Sequence, residues 1–301
     1  MNIAITGGTG FVGQALTDHL TRQGYSVYVL TRNPEDKPDK NNVTYIKWLT
    51  DDSDPSTELP DLSAIVNLAG ETINGRWTEE KKEKIISSRI TATQEIVNII
   101  AAQPNKPSVL INASAIGFYG TSMTRTFDET VQEPGNDFLS HVTENWEREA
   151  AKAKAFGVRV VYTRFGLILD GDEGALPRIA IPYKIFAGGP IGSGEQWYSW
   201  IHINDIVGLI DFAINNETVD GPLNATSPHP VQMHVFGKVL GKTLNRPHWF
   251  PTPGFLLRGA LGEMSTLILD GQKVYPQKAL NDGYKFQFPT LTSALNAIYN
   301  K

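Results

Sequence analysis

Short apolar runs alternate along the first half of the chain with longer stretches in which apolar and polar positions recur at helical spacing. Asn2–Thr6, Ser26–Thr31, Val43–Lys47, Ala64–Leu68, Ser108–Ser114 and Val158–Thr163 are predicted strands, rich in β-branched residues. Phe11–Gln23, Glu79–Ala102 and Leu139–Phe156 carry the helical period. Strand, crossover helix and strand in this order predict βαβ units, and six such strands predict an α/β fold: a Rossmann-type doubly wound parallel sheet.

After Arg164 the rhythm changes. A polar turn, Asp170 to Gly174, leads to a glycine-rich segment, Gly188 to Gly194, and then to Trp197, Tyr198 and Trp200. That composition predicts a substrate-side insertion at about residues 170–200, with the three aromatic residues as either a pocket wall or plain core. Short elements at Trp200–Ile203 and Pro222–Thr226 and a helix near Val231–Leu244 follow. Pro247, Pro251 and Pro253 then mark a link, dividing the chain into a nucleotide-binding domain, 1–245, and a small, mainly helical C-terminal module, 246–301.

Composition narrows the function classes. Of 301 residues, 41% are hydrophobic and 20% charged, as in ordinary soluble domains. Net charge is −5, the wrong sign for a partner held through nucleic-acid phosphates. No cysteine is present, which removes thiolate catalysis, disulfides and Cys-ligated metal sites. Met1 and Asn2 run directly into the first strand, and no stretch is long and apolar enough to span a bilayer, so a cytoplasmic protein without a membrane partner is expected. His229 and His234 lack a neighbouring carboxylate, and Asp170, Asp172 and Glu173 do not follow calcium-loop spacing, so no metal is expected.

One segment carries chemistry. Thr6-Gly7-Gly8-Thr9-Gly10-Phe11-Val12-Gly13 lies between the first strand and an amphipathic helix. It satisfies both G-x-G-x-x-G and G-x-x-G-x-x-G. Such glycines serve a tight turn, a close backbone approach to a pyrophosphate, and helix-on-strand packing, while the helix N-terminus offers N–H groups to the anion. Gly7, Thr9, Gly10, Phe11, Val12 and Gly13 are therefore candidate dinucleotide contacts; a tight turn without a ligand is the alternative. Where the second strand ends, a carboxylate would bind the ribose of NAD, but the chain reads Thr31-Arg32. A guanidinium suits the 2′-phosphate, so NADP is the expected cofactor unless Arg32 is a solvated loop charge and Glu35 or Asp36 supplies the acid. Arg164, at the end of the sixth strand, falls at the cofactor edge of such a sheet.

These residues resemble the short-chain dehydrogenase/reductase superfamily, extended type. Asn67-Leu68-Ala69-Gly70-Glu71, Arg76-Trp77, Ser88-Arg89-Ile90, the glycine-rich segment, Trp200-Ile201-His202-Ile203, and Gly262-Glu263-Met264 with Gly271-Gln272-Lys273-Val274 look like the atypical bacterial epimerase-family proteins with a C-terminal domain of unknown function. The resemblance implies cofactor contacts from Leu68, Ala69 and Gly70, a substrate contact from Glu71, and a further cofactor contact from Arg89, which stands where the superfamily has an assisting Asn and would replace the Tyr/Lys electrostatics near the nicotinamide. It also shows departures. The Tyr-x-x-x-Lys-x-x-x-Glu helix corresponds to Leu139-x-x-x-Thr143-x-x-x-Glu147, and the usual catalytic Ser falls on Ala115 beside Ser114. Ser114 and Tyr119 remain as candidate catalytic residues, each with a structural alternative. Tyr198 stands where nucleotide-sugar members carry a diphosphate-binding Arg, which argues against a nucleotide sugar; Trp197, Tyr198 and Trp200 are the candidate substrate wall. Two functions stay open: an NADP(H)-dependent epimerase or reductase of an unknown small molecule, and a non-catalytic NADP(H)-binding sensor. The sequence leaves oligomeric state unassigned.

Overall fold

The computed structural model describes residues 1–38 and 40–300. The strands are β1 (Asn2–Thr6), β2 (Ser26–Thr31), β3 (Val43–Lys47), β4 (Ala64–Asn67), β5 (Val109–Ala115), β6 (Thr126–Phe127), β7 (Arg159–Phe165), β8 (Leu167–Leu169), β9 (Trp197–Tyr198), β10 (Trp200–His202), β11 (Gly221–Ala225), β12 (Val231–Gln232) and β13 (Lys273–Val274). The helices are α1 (Phe11–Arg22), α2 (Pro55–Glu58), α3 (Glu79–Ala102), α4 (Phe138–Ala150), α5 (Leu176–Lys184), α6 (Ile203–Asn215), α7 (Met233–Thr243), α8 (Gly254–Leu261), α9 (Thr266–Leu269), α10 (Gln277–Asn281) and α11 (Leu291–Tyr299).

Seven strands form one sheet in the order β11-β7-β5-β4-β1-β2-β3, every neighbouring pair parallel. The order reverses between β1 and β4, and the C-terminal ends flanking that switch point are where this architecture binds ligands. Alternation along the strands serves two cores. Ile3, Ile5, Val27, Val29 and Val66 pack with Leu16, Leu20 and Ile206 on the α1/α6 face. Ala4, Leu30, Ile65 and Leu110 pack with Ile96, Ile99 and Ala150 on the α3/α4 face. Side chains of Thr78 and Asp137 cap α3 and α4, fixing where the two helices begin.

Strands β1 to β3 and helix α3 fall at their predicted bounds. The short element expected at Pro222–Thr226 is β11, a seventh strand of the sheet, and it is reached through α6, a helix the sequence analysis does not contain. A helix, α5, stands inside the expected insertion loop. The predicted helix 139–156 is α-helical only to Ala150 and continues as a 3₁₀ turn, Ala151–Phe156. The C-terminal residues are stitched into the rest of the chain: Leu291, Ala294 and Leu295 share a core with Tyr183, Tyr198, Trp200 and Phe236, and β13 pairs with β6. Among the described residues no helix is long and apolar enough to cross a membrane.

Candidate functional site

The glycine turn leaves β1 at the switch point. Gly7 has φ +64°, and a Cβ there would stand 2.8 Å from the Leu68 carbonyl oxygen, so glycine is required by both backbone conformation and β4. A Cβ on Gly13 would collide with the Gly7 carbonyl oxygen and lie 2.6 Å from Gly8 Cα, so this glycine lets α1 pack on the turn. Gly10 differs. It is exposed, its φ of −88° and ψ of 178° suit any residue, and a Cβ would meet only the Gly7 oxygen at 3.3 Å. The protein's own packing does not demand glycine at this position. Gly10 is also the N-cap of α1, which has no side-chain cap and no acidic residue in its first turn, leaving its N–H groups and positive dipole end to an incoming anion. Gln14 steadies the turn by donating from Nε2 to the Thr9 carbonyl at 2.7 Å.

At the end of β2, Thr31 is half-buried and Arg32 is exposed, and Arg32 makes no ion pair among the described residues. The end of β4 is fixed by Thr6, which donates to Asn67 Oδ1 at 2.6 Å and accepts from the Leu68 and Ala69 N–H groups at 3.1 and 3.2 Å. Asn67 in turn donates to Asn112 and Thr93, forming a buried polar rail across β1, β4 and β5.

Arg89, from α3, folds under the turn after β4. Its Nη1 donates to the Glu71 and Ile85 carbonyls at 3.1 and 2.8 Å, its guanidinium lies 4.9 Å from the Trp146 ring, and Gly70 packs directly against it. Burial lowers its pKa to about 10, which still leaves it charged at neutral pH. Nε and Nη2 make no hydrogen bond among the described residues. Glu71 pairs with Lys81 at 2.6 Å, and that contact holds its carboxyl below the usual range.

Where the superfamily resemblance implies catalysis, helix α4 contains neither tyrosine nor lysine. Ser114 and Tyr119 are both buried and bonded within the protein. Ser114 is buried and donates its proton to Glu147 Oε1 at 2.7 Å; Tyr119 is buried, donates to Asn224 at 2.8 Å, stacks on Phe127, and is pushed up to about 12 by desolvation. Arg164 is 2% exposed and grips Glu147 through two hydrogen bonds of 2.8 Å, its plane 3.5 Å from the Phe118 ring centre. The expected cofactor contact at Arg164 is therefore corrected: its charge is committed to a bidentate buried pair. Trp200 and Tyr198 also need correction, because both are core residues, with Trp200 fully buried and donating to the His229 carbonyl. Only Trp197 keeps partial exposure, donating to the Met123 carbonyl under Lys273. His202 is buried and accepts from the Asn204 N–H as the cap of α6, in keeping with a core residue. Among the described residues, no His, Cys, Asp and Glu cluster could hold a metal ion.

Gly192 and Ser193 of the glycine-rich segment line an open cleft, the mouth, together with Met123, Gly254, Phe255, Arg258, Leu269 and Asp270, which the sequence analysis did not single out. Gln272 crosses to donate to the Ile116 carbonyl at 2.9 Å, and Lys82 pairs with Glu263 at 2.6 Å, so the C-terminal segment bridges the β5 exit and the start of α3. Gln272 and Glu263 both sit in the quoted C-terminal motifs, which was the available signal.

Residues 3–225 match the model of the NAD dependent epimerase/dehydratase family, and residues 252–298 match a domain of unknown function, DUF1731. The chain is 50% identical over 298 residues to Epimerase family protein YfhF of Bacillus subtilis, covering 99% of this chain and 98% of that one. It is 44% identical over 290 residues to Epimerase family protein SH2119 of Staphylococcus haemolyticus, covering 96% of each. Among solved structures, the human epimerase family protein SDR39U1 (isoform 2) with NADPH superposes with TM-score 0.88 at 31% identity over the full length of both chains. A UDP-glucuronic acid 4-epimerase from Bacillus cereus shares the fold alone, with TM-score 0.79 at 16% identity, covering 100% of this chain and 98% of that one. The glycine turn at the switch point, the seven-stranded parallel sheet and these likenesses make the chain a member of the NAD dependent epimerase/dehydratase family, extended by a DUF1731 segment.

Proposed function

We propose that the chain binds a nicotinamide adenine dinucleotide across the ends of β1, β2 and β4, prefers NADP(H), and acts on a small molecule admitted at the mouth. Gly10 carries this reading: a glycine that the fold does not need, at the uncapped start of a helix, is accounted for by a pyrophosphate in contact with the backbone. Backbone groups of Gly7, Thr9, Gly10, Phe11, Val12 and Gly13 would hold the diphosphate, and Thr31 and Arg32 the 2′-phosphate. Leu68, Ala69 and Gly70 would line the path toward the mouth, where Arg89 supports the turn from beneath and adds positive charge. The NADPH bound to the human relative supports the choice of cofactor.

When bound, the dinucleotide supplies or accepts a hydride. The chain's part is to position and to exclude water. Neither Ser114 nor Tyr119 has a proton free for substrate, so the ionisable pair Glu71 and Lys81, with Arg89 beside it, is the polar equipment facing the turn after β4. Titration calorimetry with NADPH and NADH tests the reading. Charge-assisted bonds from Arg32 are worth about 1.5–3 kcal/mol, a preference of roughly 10–100-fold for NADPH. Arg32→Ala should remove that preference and leave NADH affinity nearly unchanged; equal losses for both would reject the assignment.

A further inference from the structure

Two acid-free stretches of the chain, joined by backbone hydrogen bonds, meet on one side of the molecule. Residues 176–194 and 221–262 hold six basic residues, Arg178, Lys184, Lys238, Lys242, Arg246 and Arg258, and none of the chain's 32 acidic residues, although the protein carries net −5. The same stretches supply an unusual set of exposed apolar side chains. Ile185 is 69% exposed, Trp249 67%, Phe250 57% and Phe255 69%, with Ile181, Phe186 and Leu256 also more than half exposed.

Most of these side chains form one surface. Trp249 Nε1 donates to the Phe186 carbonyl at 2.8 Å, the Trp249 and Phe250 N–H groups bond the Gly188 carbonyl, and Arg246 stacks 4.4 Å from the Phe186 ring. Gly237 of α7 lies so close to His248 that a Cβ there would stand 2.4 Å from Cε1, which brings α7, with the exposed Lys238 and Lys242, next to the Trp249 loop. Pro251-Thr252-Pro253, pinned to Pro190 and Gly192 by backbone bonds, leads straight into α8, whose sequence GFLLRGAL has one charge and not one buried residue. Gly254, Leu257 and Leu261 are half-buried, Gly254 against Leu269, while Phe255, Leu256, Gly259 and Ala260 are exposed, so α8 turns an apolar face outward.

We propose that this face docks the protein on a membrane surface containing anionic phospholipid, lying on it rather than spanning it. Charge decides the occupant. A second copy seated through the same patch would bring like charges together in a self-complementary contact, whereas an anionic headgroup layer complements the basic rim. The apolar tips suit the interfacial layer. Trp249, whose one polar atom is already bonded within the protein, and Phe250 stand beside prolines at the end of a loop, and Phe186 tops a turn held at φ +62°. The face adjoins the mouth through Phe255 and Arg258, with Asp270 as an acidic residue on the cleft wall, so docking would place the cleft next to the lipid layer.

Co-sedimentation of the full chain with phosphatidylcholine vesicles, with and without phosphatidylglycerol, tests the proposal. Binding should require phosphatidylglycerol and weaken as salt is raised. Lys238→Glu with Lys242→Glu should weaken it at least tenfold, since each basic residue near such a surface contributes severalfold in affinity. Trp249→Ser with Phe250→Ser should also release the protein, while both double variants keep the wild-type circular dichroism spectrum and NADPH affinity. Equal binding to both vesicle types, or binding that neither double variant changes, would overturn it. So would a wild-type dimer that Trp249→Ser with Phe250→Ser converts to monomer without any vesicle binding in the parent, since the face would then belong to a second copy.

Discussion

Replacing Gly10 and Gly13 one at a time by alanine separates what the fold requires from what a ligand requires. On a helix, Ala is favoured over Gly by about 1 kcal/mol, so propensity alone predicts that Gly13→Ala stabilises α1. The geometry predicts the opposite, because the new methyl would run into the Gly7 carbonyl and stand 2.6 Å from Gly8 Cα, both backbone atoms that cannot rotate away. Overpacking of this kind costs about 3 kcal/mol, leaving a net loss of about 2 kcal/mol and a Tm several degrees lower. At Gly10 the methyl meets only one oxygen at 3.3 Å on backbone that any residue adopts, and the loss of unfolded-state freedom makes the change neutral or stabilising by up to about 1 kcal/mol. Yet NADPH binding should fall roughly 10–100-fold, the loss of one or two charge-assisted bonds as the diphosphate is pushed from the N–H groups. Urea denaturation and titration calorimetry on the two variants read both quantities. A Gly13→Ala protein as stable as wild type, or a Gly10→Ala protein with full NADPH affinity, would refute the division of labour among the glycines.

Three further outcomes follow from the buried groups. Glu147→Gln leaves the Arg164 charge 2% exposed without its counterion and should cost about 3–5 kcal/mol in urea denaturation, while Glu147→Leu with Arg164→Met recovers most of that; equal losses in both would contradict the pairing. Tyr119→Phe orphans Asn224 Oδ1 and should cost about 1–3 kcal/mol with NADPH affinity unchanged, whereas a stable variant with altered binding would return Tyr119 to the site. Asp205 is fully buried, and desolvation outweighs its bonds from the Gln287 and Phe288 N–H groups and raises its pKa. The native state thus keeps this proton to higher pH than the unfolded chain. Its contribution is full below the ordinary carboxylate value of about 4 and is lost as pH rises through the raised native value, so Asp205→Asn should flatten stability over that window. Parallel stability profiles for wild type and variant would show that Asp205 does not titrate there.

The sheet and its cradle were legible because their causes are local. Alternation and β-branching set β1 to β3, and three glycines, a helix start and an arginine declare themselves within thirty residues. Helix α6 carried a readable signal that the sequence analysis left unused: Asn204, Gly208, Asp211 and Asn215 recur at helical spacing opposite the buried Ile203, Ile206, Val207, Leu209, Ile210, Ala213 and Ile214. Helix α5 escaped because Pro177 and Pro182 punctuate it like a loop. Ser114, Tyr119 and Arg164 looked available from their motifs, but the groups that hold them, Glu147 and Asn224, lie 33, 105 and 17 residues away, and only the assembled fold shows those pairings. Trp200 and Tyr198 were ambiguous for the same reason, since their neighbours Phe236 and Leu295 belong to distant helices.

The threading of Gln272 back to Ile116, and of β13 onto β6, also sets an order of assembly at the ribosome. The dinucleotide cradle uses the first strands to be made, and the sheet is complete in sequence by Ala225, whereas the segment that closes the mouth is translated about 50 residues later. At ordinary elongation rates that is a delay of a few seconds, on the order of 3–10 s, longer than most domains take to fold. During translation all seven strands of the sheet are therefore present before the segment that bonds to the β5 exit and to β6 has been made.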